Sequence, residues 1–188
     1  MSLKAVKDIK NQIKSECEKS KKIVDWFYGT HLLAVEKCSQ FLLQKFPQAD
    51  KEVVMLGVWL HDLQRIRGIN GDHQKIGARE AEKVMRKYGY DNNVIEKVKA
   101  IILTHSCSGK KPKTLEGKIL ATADAMSHYY NDFYLKVALT GERDIREYKK
   151  WALEKLNRDY NKKIFFVFAK KKIESRHNLY KKFFSQSN

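Results

Sequence analysis

Acidic residues are scarce: 22 Asp and Glu stand against 38 Lys and Arg in 188 residues, a formal net charge of +16. A field of that sign attracts nucleic acid, acidic membranes and small polyanions alike, so it narrows the partners to anions without choosing among them. Long apolar runs are lacking too. No window approaches the roughly eighteen apolar residues of a membrane span, and no basic, apolar and small-residue leader opens the chain. The expectation is therefore a soluble, cytoplasmic protein with no membrane partner. Only two prolines and nine glycines occur, and no alternation of apolar and polar residues runs long enough for a strand, so an all-α fold is expected. The three cysteines, Cys17, Cys38 and Cys107, are odd in number and lack metal-type spacing. They are read as thiols in a reducing compartment, those within helical patterns being buried.

Hydrophobic content of 43% is enough to build a core, and the length suits one domain over 1–188. Apolar residues at spacings of three and four predict an amphipathic helix over 3–22 and another over 31–46, which Pro47 stops. Asp50 is a suitable N-cap for a helix over 51–64 whose apolar run VWL ends in His61 and Asp62. Gly68, Asn70 and Gly71 mark a loop. Asp72 then caps 73–88, Asp91 caps a helix to about His105, and Thr114 caps one from 115 to about 136. A long helical tail begins near Arg143, with Tyr160, Ile164, Val167 and Phe168 expected to face inward. No internal repeat or low-complexity linker interrupts this series.

Six residues of ligand type stand out: His31, His61, Asp62, His73, His105 and Asp124. A single histidine is more often a hydrogen-bonded structural residue than a ligand, and His31, expected to open its helix, could simply satisfy backbone groups there. His105 shares a helix face with Val94, Val98, Ile101 and Ile102, so a buried partner must satisfy its ring. Asp124 is embedded in small and apolar residues, Ala121, Ala123, Ala125 and Met126, where an unpaired carboxylate is costly and calls for a cation. His61 and Asp62 pose the same problem. Neighbours on a helix diverge by about 100°, so both can serve one metal only beside a helix end, or by bridging two. Histidine with carboxylate suits Mn, Fe, Ni, Zn or Mg without selecting one.

Taken in order as H, HD, H, H, D, these positions resemble the motif of the HD-domain superfamily, helical metal-dependent phosphohydrolases. The stretches DHQKIGAREAEKVM, TLEGKILATADAMS, EKLNRDY and IESRHNLYKKFF resemble its small single-domain members, over roughly residues 24–184. The resemblance implies a compact helical bundle, with a metal-binding core over about 24–136 and C-terminal helices over about 142–186 packed on it. It implies that His31, His61, Asp62 and Asp124 hold a primary divalent metal ion, and that His73 and His105 match the extra histidines of binuclear members, with Asp62 as the bridge. The implied activity is hydrolysis of a phosphoester or pyrophosphate bond in a nucleotide or other small phosphorylated metabolite. Arg65, one turn beyond Asp62, and Lys118, six positions before Asp124, are the expected phosphate contacts. Members acting on deoxynucleotides or guanosine alarmones tend to carry acids shortly after HD, where this chain has Leu63, Gln64, Arg65, Ile66 and Arg67. Asp124 is followed by Ala125 and Met126 where many relatives have a second acid nearby.

Two rival functions follow from the same residues. Some HD proteins with this ligand set hold two irons and use dioxygen, so a di-iron oxygenase is the alternative enzyme. A basic helical module with a structural metal is the alternative binder. Lysines at 109–113, 149–150, 162–163, 170–172 and 181–182 would grip nucleic acid, nonspecifically and with steep salt dependence.

Overall fold

A computed structural model describes residues 3–21 and 23–185. The described residues are helical with no strand. Helix α1 spans Leu3–Lys19. A π-helical turn over Phe27–Leu32 runs directly into α2, Leu33–Lys45. Then follow α3 (Lys51–Leu60), α4 (Leu63–Ile66), α5 (His73–Lys87), α6 (Asn92–Ile102), α7 (Leu115–Ser127) and α8 (Phe133–Ala138). Helix α9 (Ile145–Arg158) passes into a second π-helical turn, Asp159–Lys163, before α10 (Val167–Ser185) closes the series.

The caps explain the boundaries. Side chains of Asp50, Asp72, Asp91 and Thr114 accept hydrogen bonds from the first-turn amides of α3, α5, α6 and α7, and Asp144 does the same for α9. Each satisfies amides that have no carbonyl one turn back. Helices α3 and α7 are the centre of the bundle. Every residue of α3 from Val53 to Leu60 is buried, and α7 is buried from Ile119 to Ser127, the pattern of a helix covered on all sides. Helices α1, α2, α5 and α6 pack against α3, and α2, α6, α10 and the second π turn pack against α7. All three cysteines are free and buried. No helix of the described residues is long and apolar enough to cross a membrane.

The expected helices are shorter or more broken at several points, and each break lies beside a polar side chain of interest. His31 does not open its helix but lies inside the π turn that precedes α2. The expected helix 51–64 stops at Leu60, and His61 and Asp62 form the joint with α4. Helix α6 ends at Ile102, leaving His105 in the turn beyond it, and Val94 is half-buried where Ile95 is the core residue. The expected helix to about 136 breaks after Ser127. Asn131 accounts for the break: its carbonyl oxygen accepts from the Phe133 amide at 2.9 Å, and its amide donates to the carbonyl of Thr30. A short amide side chain that bonds nearby backbone offers an alternative to the helical ladder. In the tail, Ile164 is buried but Val167 is exposed, because residues 164–166 are non-helical and shift the register of α10.

Candidate metal centre

Two of the expected histidines sit just past helix C-termini, where the chain turns and a side chain can leave the helix surface. His61 follows α3, and its Nδ1 lies 2.9 Å from the carbonyl of Val58. His105 follows α6, with Nδ1 2.6 Å from the carbonyl of Ile102. A carbonyl accepts only from N–H, so in both rings Nδ1 carries a proton, and in the neutral ring Nε2 presents the lone pair. His31 reaches the same state differently. The Ser127 hydroxyl donates to the carbonyl of Asp124 at 2.7 Å, so its oxygen is left to accept from His31 Nδ1 at 3.4 Å.

The Nε2 atoms converge on two carboxylates. His31 Nε2 lies 3.4 Å from Asp62 Oδ2 and 3.6 Å from Asp124 Oδ1, and His61 Nε2 lies 3.4 Å from the same Asp62 oxygen. All four residues are at least 94% buried. His61 Nε2 has no hydrogen-bond partner among the described residues. Lone pairs facing carboxylate oxygens in a dry pocket repel unless a cation lies between them, so these residues fit a divalent metal ion. His31, His61 and Asp62 form one group with ligand atoms within 4.8 Å of each other, and His61, His105 and Asp124 form another. The rings of His105 and His61 are 5.1 Å apart, and half-buried His73 lies 5.5 Å beyond His105. The structure thus lines up all six expected ligand-type residues, with His73 outermost.

Helix packing holds the pair in place. A Cβ on Gly77 of α5 would sit 3.0 Å from the carbonyl oxygen of His61, so only glycine lets α5 pass this close to the joint without displacing its backbone.

Beyond the pair the centre opens into a cavity of about 820 Å³. Its lining interleaves the aromatic rings of Trp26, Phe27, Phe133 and Trp151 with the cations Arg65, Arg143, Lys155, Arg158 and Lys163; Arg143 lies over the Trp151 ring at 5.1 Å and Lys155 over the Phe133 ring at 5.3 Å. Arg65 Nε lies 3.2 Å from Asp62 Oδ1, and the side chain remains half exposed at the rim. Lys118 does not line the cavity. Six residues before Asp124 on one helix, it lies about 240° round the axis and about 9 Å along it, too far round to share that face.

A further group was not singled out from the sequence. His128 follows α7 by one residue, and its Nδ1 donates to Asp159 Oδ2 at 2.9 Å while its Nε2 faces Asp124 Oδ1 at 3.7 Å. Asp159 is fully buried and also takes Lys155 Nζ at 3.1 Å. Lys163 pairs with Asp124 Oδ2. It is buried, so it is not one of the surface lysines expected to grip nucleic acid. The available signal was spacing: Asp124 and His128, and Lys155, Asp159 and Lys163, recur at one turn.

These contacts set the charges. Burial alone would raise the Asp62 carboxyl, but His61, His31 and Arg65 hold it well below the usual range. Burial likewise opposes ionisation of Asp124, where Lys163, His128 and His31 hold the carboxyl well below it. Asp159, against the same burial, is held low by Lys155 and Lys163. Burial pushes His105 down to about 3, aided by His61. His128 also falls to about 3 through burial and Lys155, against the pull of Asp159. His73 is lowered by burial and Arg65. The two lysines part company: burial wins at Lys155, which is lowered, whereas Asp124 and Asp159 together outweigh burial at Lys163, which is raised.

Comparison with known proteins agrees with this geometry. The chain is similar in structure to a predicted HD superfamily hydrolase from an uncultured Thermotogales bacterium. The TM-score is 0.62, with 19% identity over 97% of this chain and 95% of that one, a likeness of fold. No curated protein sequence matches the chain. The family model described as HD domain matches residues 28–128, more than half of the chain and all six expected ligand-type residues. The protein belongs to the HD-domain family.

Proposed function

We propose that the protein is a metal-dependent phosphohydrolase acting on a small phosphorylated substrate, most simply a nucleotide. The observation that carries this reading is the meeting of Nε2 lone pairs and buried carboxylates at the inner end of a cavity whose rim and flank are basic. His31, His61, Asp62 and Asp124 would hold the metal ion, which supplies a lowered water pKa and offsets charge on the phosphoryl oxygens. The protein's own groups do the rest. Hydrogen bonds to Val58 and Ile102 keep His61 and His105 in the tautomer that leaves Nε2 free. Arg65 at the rim orients the phosphate with its fork of N–H donors while Asp62 fixes the guanidinium. Lys155, largely buried, and Lys163, buried, add positive charge to the cavity lining. The aromatic lining from Trp26, Phe133 and Trp151, with Arg143 and Lys155 beside it, offers surface suited to a nucleobase.

The test is turnover. Protein loaded with manganese, nickel, iron, magnesium or zinc is assayed against a panel of phosphomonoesters, phosphodiesters and nucleotides, beside a variant carrying His61→Ala and Asp62→Ala. Release of phosphate or pyrophosphate by the parent alone supports the reading; none above the variant with any metal overturns it. The line of His61, His105 and His73 favours one second reading, a di-iron oxygenase. Two irons per chain, with oxygen uptake and no phosphate release, would establish it instead.

A further inference from the structure

His128 has a feature that the four family ligands do not explain. Its Nδ1 donates to Asp159, which leaves Nε2, facing Asp124 Oδ1 at 3.7 Å, as the ring nitrogen available to bind an ion. His31 Nε2 approaches the same oxygen at 3.6 Å. The two rings are parallel, 6° apart in plane with centroids 5.4 Å apart. His31 Nε2, His128 Nε2 and Asp124 Oδ1 thus lie within 4.8 Å of one another, all on buried residues, close enough to bond one ion. Lys163 occupies the other oxygen of Asp124, which leaves Oδ1 and the two ring nitrogens to share an ion. The Asp159 carboxylate behind His128 is the kind of partner that orients a ligating imidazole and makes it more basic.

We propose that His128 is a further protein ligand of the metal centre, making a donor set of three imidazoles and two carboxylates that takes a first-row transition-metal dication in preference to magnesium. It rests on the metal centre underlying the hydrolase reading but not on which bond is cut. Imidazole nitrogen suits zinc, iron, cobalt, nickel and manganese, whereas magnesium prefers an all-oxygen shell. Asp159 is the positioning residue that holds His128 for the ion.

Cobalt(II) titrated into metal-free protein and followed by its visible absorption reads both affinity and ligand field. His128→Ala is expected to bind at least about 100-fold more weakly with an altered spectrum, and Asp159→Asn about 10- to 100-fold more weakly. His177→Ala removes a buried histidine that stacks on Tyr160 at 4.0 Å and is expected to bind as the parent does. Magnesium in about 100-fold excess should leave the cobalt spectrum unchanged. A second measurement needs no folded variant: in the parent, the Nε2 nitrogen resonance of His128 should move when zinc is added without any anion. Parent-like cobalt binding by His128→Ala, a ring that responds only once inorganic phosphate is added, or displacement of cobalt by magnesium would overturn the proposal. Failure of the hydrolase reading looks different: the cobalt results would stand while the parent released no phosphate.

Discussion

The two walls of the cavity orient their histidines by different means. On the wall built from α3 and α6, the rings of His61 and His105 are fixed by main-chain carbonyls three residues back, Val58 and Ile102. On the wall built from the end of α7 and the second π turn, His128 is fixed by a buried carboxylate that itself needs Lys155. The first device is local and uses groups the chain already has at a helix end. The second spans 31 residues of sequence and buries several charges that are stable only together.

The largest expected effect tests that difference. Asp159→Ala would leave Lys155 and His128 without their shared acceptor, and should cost about 3–5 kcal/mol of stability. Urea unfolding at constant m-value reads it. His61→Ala takes one partner from Asp62, which keeps His31 and Arg65, and should cost less; an equal or larger loss would break the comparison.

Acid should expose the same contrast in the metal-free protein. His105 and His128 are pushed down to about 3 in the fold from an ordinary value of 6.5. Between these values the unfolded chain binds more protons, so their contribution is complete above about 6.5 and is lost as pH falls toward 3. The depressed carboxyls of Asp62, Asp124 and Asp159 extend the loss at the acid end. Thermal melting from pH 7 to 4 should show a falling midpoint, with a shallower slope in His105→Gln. A slope unchanged by that substitution would remove the main-chain wall from the account.

Smaller effects are expected at the edges. Gly77→Ala presses on the His61 carbonyl and should weaken metal binding by about tenfold, since second-layer contacts are worth about 10–100-fold; calorimetric titration with zinc measures it. Arg65→Ala should raise KM for a phosphorylated substrate by about tenfold, the scale of one charge-assisted hydrogen bond, with little change in stability. Lys118→Ala should alter neither KM nor, beyond about 0.5 kcal/mol, stability. A KM effect there would return the phosphate role to α7.

The same division governed what could be read from sequence. The ordering of His31, His61, Asp62, His73, His105 and Asp124 was legible because ligand-type residues ending apolar helices are conspicuous, and the capping residues marked most boundaries. His128 was hidden inside an apparently continuous helix, because the Asn131 turn that ends it depends on a carbonyl contributed by Thr30, about a hundred positions away. Lys155, Asp159 and Lys163 were hidden for another reason. Charges one turn apart look the same on a solvated helix face as in a core, and only the packing of the second π turn against α7 distinguishes the two.

The arginines at the cavity mouth have a consequence for kinetics. Arg65, Arg143 and Arg158 line the cavity, against one outer acid, Glu142, that pairs with Arg143, and the carboxylates of Asp62 and Asp124 within it are only 5–6% exposed. An entrance of that sign slows a bare dication and speeds an anion. Loading and stripping of the centre should therefore be slow at low ionic strength and faster with salt. They should be faster still when the ion arrives or leaves in complex with a phosphate that neutralises its charge.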